Sequence, residues 1–368
     1  MTSHKKTLFM VFGTRPDAIK LSPLIKALEA DGSFHLKLCV TAQHRELLDS
    51  VLSEFSIRPQ FDLSLMREEQ TLDYVTCEAL RTVGDLLDLC NPSSVIVQGD
   101  TNTAFASALA AFYRKIPIAH VEAGLRSGDI LSPYPEEFNR RAISAMTSYH
   151  FSPTNAARDA LISEGVARTS IFTVGNTSID ALLMTEGATV DYAIRKFIKD
   201  REYMLITVHR REHTESELDE IFEGIKNLLL DNPEICAVYP LHKNPRVSDK
   251  ARNKLSGISN LLLCESQTTH CFHALLRSAK MILTDSGGIQ EEATFLGKPT
   301  LVLRSATERT EGIESGVLKL VGTNGDEIYS AATLLLYDDL EYKKMSEPSL
   351  IYGDGHASER IIRVLKTL

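Results

Sequence analysis

No run of apolar residues in this chain approaches the roughly 20 needed to span a bilayer, so no membrane partner is expected. A basic excess is missing too: 40 lysines and arginines face 49 aspartates and glutamates, a formal net charge of −9. A general nucleic-acid binder draws its affinity from a basic surface, so that class is set aside and any anion site must be local. The six cysteines (Cys39, Cys77, Cys90, Cys236, Cys264, Cys271) are scattered without a CxxC pair, which argues against a disulfide framework or a metal site. Low-complexity segments are also absent, and 43% hydrophobic with 24% charged residues is the balance of a folded globular protein. Met1 to Lys6 lead straight into an apolar strand without a small-residue cleavage pattern, so the expectation is a cytoplasmic enzyme. At 368 residues the chain exceeds the usual size of one core, and two domains are expected.

One stretch concentrates the chemical signals: Thr284-Asp285-Ser286-Gly287-Gly288-Ile289-Gln290-Glu291-Glu292-Ala293. The apolar Met281-Ile282-Leu283 before it reads as a buried strand, and the amphipathic segment after it stops at Gly297-Lys298-Pro299. Ser286, Gly287 and Gly288 therefore fall at a helix start, where backbone N–H groups and the positive end of the helix dipole favour a phosphate. Glu292, one turn further on, points back toward the same mouth, and a carboxylate there suits two hydroxyls better than a second anion. The combination predicts a nucleotide diphosphate with its ribose. The same residues also fit a plain tight turn with Glu292 as a solvated helix residue.

Strand and helix patterns alternate on either side. Thr7 to Phe12 is a strand, Gly13-Thr14-Arg15-Pro16-Asp17 its turn, and Pro16 starts a helix whose Ala18, Leu21, Leu24, Ile25 and Leu28 share one face. Ser94-Val95-Ile96-Val97 delivers Gln98-Gly99-Asp100, and Ile118-Ala119-His120-Val121 delivers Glu122. The alternation restarts after Gly175: Met204 to Val208 leads to His209-Arg210-Arg211, and Ala237-Val238-Tyr239-Pro240 to Leu241-His242. This pattern predicts an α/β chain of two parallel-sheet domains with a boundary near Gly175, residues 1–175 and 176–352, and a last helix over 357–368 that fits either domain. Ligands in such sheets bind beyond the carboxyl ends of the strands, where Arg15, Asp100 and Glu122 lie, and the cleft between the domains is the expected site.

Eight motifs, in order along nearly the whole chain, then resemble the non-hydrolysing UDP-N-acetylglucosamine 2-epimerases. They are Gly13-Thr14-Arg15-Pro16-Asp17-Ala18-Ile19-Lys20, Thr41-Ala42-Gln43-His44-Arg45, Gly99-Asp100-Thr101, and His120 to Arg126; then Ser132-Pro133-Tyr134-Pro135-Glu136-Glu137, His209-Arg210-Arg211-Glu212, Tyr239-Pro240-Leu241-His242, and Thr284 to Ala293. The resemblance implies two Rossmann-like, doubly wound domains in the glycosyltransferase-B arrangement, with the last helix (353–368) returning to the first. It implies interconversion of UDP-GlcNAc and UDP-ManNAc by elimination and re-addition of UDP, no cofactor, no metal, and a homodimer. It places Asp100, Glu122, Glu136 and His209 as catalytic residues. Arg15, Lys20, Arg210, His242, Phe272, Ser286, Gly287, Gly288, Glu292 and Arg309 are placed as binding residues for UDP and the sugar. Three carboxylates together would raise one another's pKa, which suits proton transfer. Blander roles also fit: Asp100 as a helix N-cap, Glu136 as a first-turn dipole partner, His209 as a core histidine and Lys20 as a solvated one.

The chain departs from the family's usual pattern in places. Val208 stands for a small residue, His213 for Asn or Ser, and Arg304-Ser305-Ala306-Thr307-Glu308-Arg309-Thr310-Glu311 lacks the usual Asp and Pro. Gln43, His44 and Gln70 match an activator site for a second UDP-GlcNAc, but Glu69 stands at its arginine position, so activation is expected to be weak. The alternatives are an epimerase of a modified UDP-N-acetyl sugar, a hydrolysing 2-epimerase, a retaining nucleotide-sugar glycosyltransferase sharing the fold, and a sensor that binds without turnover.

Overall fold

The computed structural model describes residues 5–41, 45–65, 70–210, 213–242 and 244–367. The chain forms two units, Met1–Met184 with Gly353–Leu368, and Thr185–Tyr352. Among the described residues no helix is long and apolar enough to cross a membrane.

The first unit is built on β1 (Thr7–Phe12), β2 (His35–Val40), β3 (Phe61–Asp62), β4 (Ser94–Gln98), β5 (Ile118–Val121), β6 (Tyr149–Ser152) and β7 (Ile171–Thr173). They form one parallel sheet in the order β3-β2-β1-β4-β5-β6-β7. Helices cover both faces, so the central strands β1, β4 and β5 are buried along nearly their whole length. Leu8, Met10 and Phe12 pack with Leu21, Leu24 and Ile25 of the helix Arg15–Asp31 and with Ile361, Ile362 and Leu365 of the last helix. Phe9 and Val11, pointing the other way, meet Ala104, Ala108 and Ala111 of the helix Asn102–Tyr113. Small side chains there let that helix lie close to the sheet.

The second unit repeats the plan with β8 (Tyr203–Thr207), β9 (Cys236–Pro240), β10 (Leu261–Cys264), β11 (Met281–Thr284), β12 (Thr300–Val302) and β13 (Leu318–Leu320). The order is β10-β9-β8-β11-β12-β13, again parallel. Met204 and Ile206 pack with Leu218, Ile221, Phe222 and Ile225 of the helix Glu215–Asp231. In each sheet the winding reverses between two neighbouring strands, β1 and β4 in the first, β8 and β11 in the second. Such a switch point opens a crevice at the strands' carboxyl ends.

The boundary falls later than Gly175. The helix Thr177–Met184 stays with the first unit because its buried Asp180 holds the start of the last helix, Ala357–Lys366. Asp180 Oδ1 accepts the N–H of Ala357 at 3.0 Å, and Oδ2 accepts the N–H and the hydroxyl of Ser358 at 2.7 Å each. The last helix thereby belongs to the first unit.

Candidate functional site

In the first unit the turn after β1 is set by a reciprocal cap. Thr14 Oγ1 accepts the N–H of Asp17, and Asp17 Oδ2 accepts the N–H groups of Thr14 at 3.2 Å and Gly13 at 3.4 Å. Gly13 is required by space: a Cβ there would stand 2.3 Å from Thr41 Oγ1 and 2.5 Å from Thr103 Oγ1. The cap presents Arg15 at the strand end as the first helical residue, half-buried, with burial pulling its pKa down against the charge of Glu54. Asp17 is almost fully enclosed. Burial pushes its carboxyl up to about 7 and the charge of Asp100 adds to this, while the Thr14 hydroxyl and the two N–H groups oppose it.

Glu122 follows β5 with φ at 65°, a left-handed conformation that costs a glutamate energy and recurs at functional sites. Its carboxylate is ion-paired with Lys20, accepts Gln98 Nε2 at 2.6 Å and has Asn176 Nδ2 at 3.4 Å. Asp100 follows β4 and is ion-paired with Arg140, while its carbonyl accepts Asn139 Nδ2 at 2.9 Å. Asn139 and Arg140 lie on the helix Glu136–Met146, so the helix that begins with Glu136 is tied to the Asp100 turn. The following helix is capped by Thr101, whose Oγ1 accepts the N–H of Ala104, so Asp100 is not its N-cap. Lys20 is 14% exposed and holds Glu122, so it is not a solvated helix-face lysine. The expectation was of three carboxylates raising one another's pKa, whereas Glu122 and Asp100 each have a cation beside them. Asn139, Arg140 and Asn176 escaped the sequence reading, which placed Gln98 at a strand end without a role. Gln98, directly before Gly99-Asp100 at a strand end, carried the one signal available.

In the second unit His209 and Arg210 follow β8 and the Asp285 turn follows β11. Thr207 and Thr284, at the ends of these two strands, share a hydroxyl hydrogen bond of 2.6 Å. Asp285 is fully buried. Its Oδ2 accepts the N–H groups of His209 at 2.8 Å and Arg210 at 2.9 Å, with His213 Nε2 at 3.2 Å. Its Oδ1 lies 3.1 Å from His209 Nδ1. Burial alone would push this carboxyl up, but the His209 charge, the His213 donor and the two N–H groups hold it at about 2. The His209 ring is about one-third exposed, so it is not a core histidine, and it stacks on the exposed His242 with centroids 5.4 Å apart.

The helix Gly287–Leu296 starts beyond Asp285, and its N-cap Ser286 makes no side-chain capping bond. Among the described residues no side-chain cap takes its first N–H groups, an arrangement that suits an anion site. Arg309 runs beside Gly287, 7% exposed, with Nε 3.0 Å from Glu291 Oε1 and an ion pair to Glu308. It braces the helix start from inside. Burial would raise the Glu308 carboxyl, but Arg309, Arg304 and Arg210 keep it well below the usual carboxylate range. Glu292 is buried with Oε1 3.5 Å from His273 Nε2, on the helix Thr269–Ser278 that also carries the half-buried Phe272. Gln70 is half-buried just before the helix Leu72–Cys90, whereas Gln43, His44 and Glu69 lie outside the described residues.

Residues 26–366 match the family model described as UDP-N-acetylglucosamine 2-epimerase. The UDP-N-acetylglucosamine 2-epimerase of Escherichia coli (strain K12) is 46% identical over 365 residues, 97% of this chain and 97% of the relative. A crystal structure of the UDP-GlcNAc 2-epimerase from Neisseria meningitidis bound to UDP-GlcNAc superposes with a TM-score of 0.93 at 40% identity, covering 98% of this chain and 100% of that one. The Methanocaldococcus jannaschii enzyme in complex with UDP-GlcNAc and UDP gives 0.86 at 34% identity, covering 98% and 100%. With matches of this length and identity, the chain belongs to the UDP-N-acetylglucosamine 2-epimerase family.

Proposed function

We propose that this chain interconverts UDP-GlcNAc and UDP-ManNAc, substrate and product both carrying the nucleotide. The observation that carries the reading is Glu122, a nearly buried carboxylate held by Lys20 and Gln98 where β4 and β5 end. A nucleotide-binding fold has no need of it, and a proton-transfer enzyme does.

The C2 proton of the sugar is not acidic, because no carbonyl adjoins that carbon. Elimination solves this. A carboxylate takes the proton, the C2–H electron pair becomes the C1–C2 double bond of 2-acetamidoglucal, and the C1–O pair leaves with UDP. Re-addition of UDP with protonation from the other face completes the inversion. The sequence of steps is redox-neutral and uses only acid–base groups and charge stabilisation. Asp100, Glu122 and Glu136 serve the sugar. Arg15, His209, Arg210 and the helix start at Ser286-Gly287-Gly288 take up the charge of the diphosphate, with His242 beside His209. Glu292 takes the ribose hydroxyls, and Phe272 lies against the uracil. The first unit thus carries the acid–base residues and the second the UDP site. A cytoplasmic homodimer goes with this reading on the strength of the motif resemblance, and light scattering on the purified chain would give its mass.

The test is incubation with UDP-GlcNAc in D₂O, followed by proton NMR. Exchange at C2 with UDP-ManNAc appearing is expected. Binding of UDP-GlcNAc with neither exchange nor epimer would overturn the reading and direct the search to modified UDP sugars.

A further inference from the structure

We propose that Asp285 is a positioning residue for His209, holding the imidazole with Nδ1 turned to its buried carboxylate and Nε2 left for the diphosphate. The proposal rests on the reading above, in which His209 faces the charge that leaves with UDP. Asp285 does more than shape a turn. Through Oδ2 it fixes the backbone of both His209 and Arg210, and its carbonyl accepts Arg210 Nε at 2.9 Å. A residue needed only for that scaffold would be complete with one oxygen. The second, Oδ1, is buried without a hydrogen-bond partner among the described residues and lies 3.1 Å from His209 Nδ1. Catalytic contacts of this kind are often long before substrate binds and tighten in the complex.

His213 contributes from the far side. It is 5% exposed, with Nε2 3.2 Å from Oδ2, so the carboxylate is held between two imidazoles and two backbone donors. A buried carboxylate so supported stays ionised and cannot reorient without breaking several bonds. An ionised acceptor on one nitrogen fixes the tautomer of an imidazole and steadies the positive charge it carries when an anion forms at the other nitrogen. The His242 ring stacked on His209 limits swinging out of this orientation.

The test is a double-mutant cycle with Asp285→Asn and His209→Asn in the full chain, read by epimerisation kinetics and by ¹⁵N NMR of labelled histidine. The side-chain amide introduced by D285N retains an oxygen for the two backbone N–H groups but carries no charge. The expected result for D285N is a fall in kcat of ~10²-fold with KM changed far less, as for removal of a preorganised electrostatic group. The double variant should be no slower than H209N alone. In the wild-type chain, the His209 signal should report a protonated Nδ1, and D285N should shift it. Multiplying losses in the double variant, a change in KM alone, or an unprotonated Nδ1 in the wild type would each overturn the proposal. The wild-type nitrogen signal decides the matter even if D285N does not fold. If the wild-type chain does not epimerise UDP-GlcNAc, the functional reading fails on its own, and the nitrogen signal still reports whether Asp285 positions the ring.

Discussion

Lys20, on the first helix, and Glu122, after the fifth strand, form an ion pair in which both side chains are largely shielded from water. Each side chain neutralises the cost of burying the other, so removing one leaves a stranded charge. Lys20→Met is expected to cost roughly 3 kcal/mol of stability. Urea denaturation measures this. Epimerisation should fall with it, and unchanged kcat in folded K20M would remove Lys20 from the site.

Asp17 makes a prediction about pH. Its folded-state pKa is raised from 3.8 to about 7, chiefly by burial, so the folded chain binds a proton there that the unfolded chain releases. Its contribution to stability is therefore full below about pH 4 and declines as pH rises toward 7. The decline is on the order of 4 kcal/mol at most. Asp17→Asn keeps an acceptor for the Gly13 and Thr14 N–H groups and removes the titration. The stability of D17N minus that of the wild type should rise between about pH 4 and about pH 7, as measured by denaturation across that range. A flat difference would mean the carboxyl ionises as easily folded as unfolded.

Gly287 and Gly288 are adjacent yet should respond in opposite ways to alanine. A Cβ at Gly287 would stand 2.9 Å from Arg309 Cζ, and that guanidinium is pinned by Glu291 and Glu308. At Gly288 nothing lies within 4 Å. G287A is expected to lower stability by about 1–2 kcal/mol through overpacking, and G288A to raise it by up to ~1 kcal/mol through helix propensity. Thermal unfolding of both variants distinguishes them.

The motif resemblance, with Glu69 at the position where the family has arginine, supplies a regulatory prediction. If the resemblance holds at this position, a carboxylate there repels the diphosphate of an activating UDP-GlcNAc, so UDP-ManNAc turnover should depend little on added UDP-GlcNAc. Glu69→Arg should introduce that dependence, seen in initial rates with and without the activator.

Much of the fold was legible because parallel strands covered on both faces leave unbroken apolar runs, as in Leu8 to Phe12 and Met281 to Leu283, punctuated by Gly and Pro. The strand-end residues Arg15, Asp100, Glu122 and His209 were legible for the same reason: a turn after a buried strand is where polar side chains can gather. The partners were not. Arg140 meets Asp100, and Asp180 meets Ser358, across sequence gaps no local pattern spans. Asp285 was visible only as a letter in a Gly-rich motif. Its hold on His209 exists because β8 and β11 lie side by side, and strand order is a tertiary property.

The clasp between Asp180 and the last helix bears on how the chain is made. The final piece of the first unit emerges from the ribosome after all of the second, so the first sheet waits with Leu8, Met10 and Phe12 lacking part of their cover while later segments are synthesised. The second unit, contiguous in sequence, has no such wait. A released chain truncated before Ala357 would keep a second unit that resists protease and a first unit still open to it.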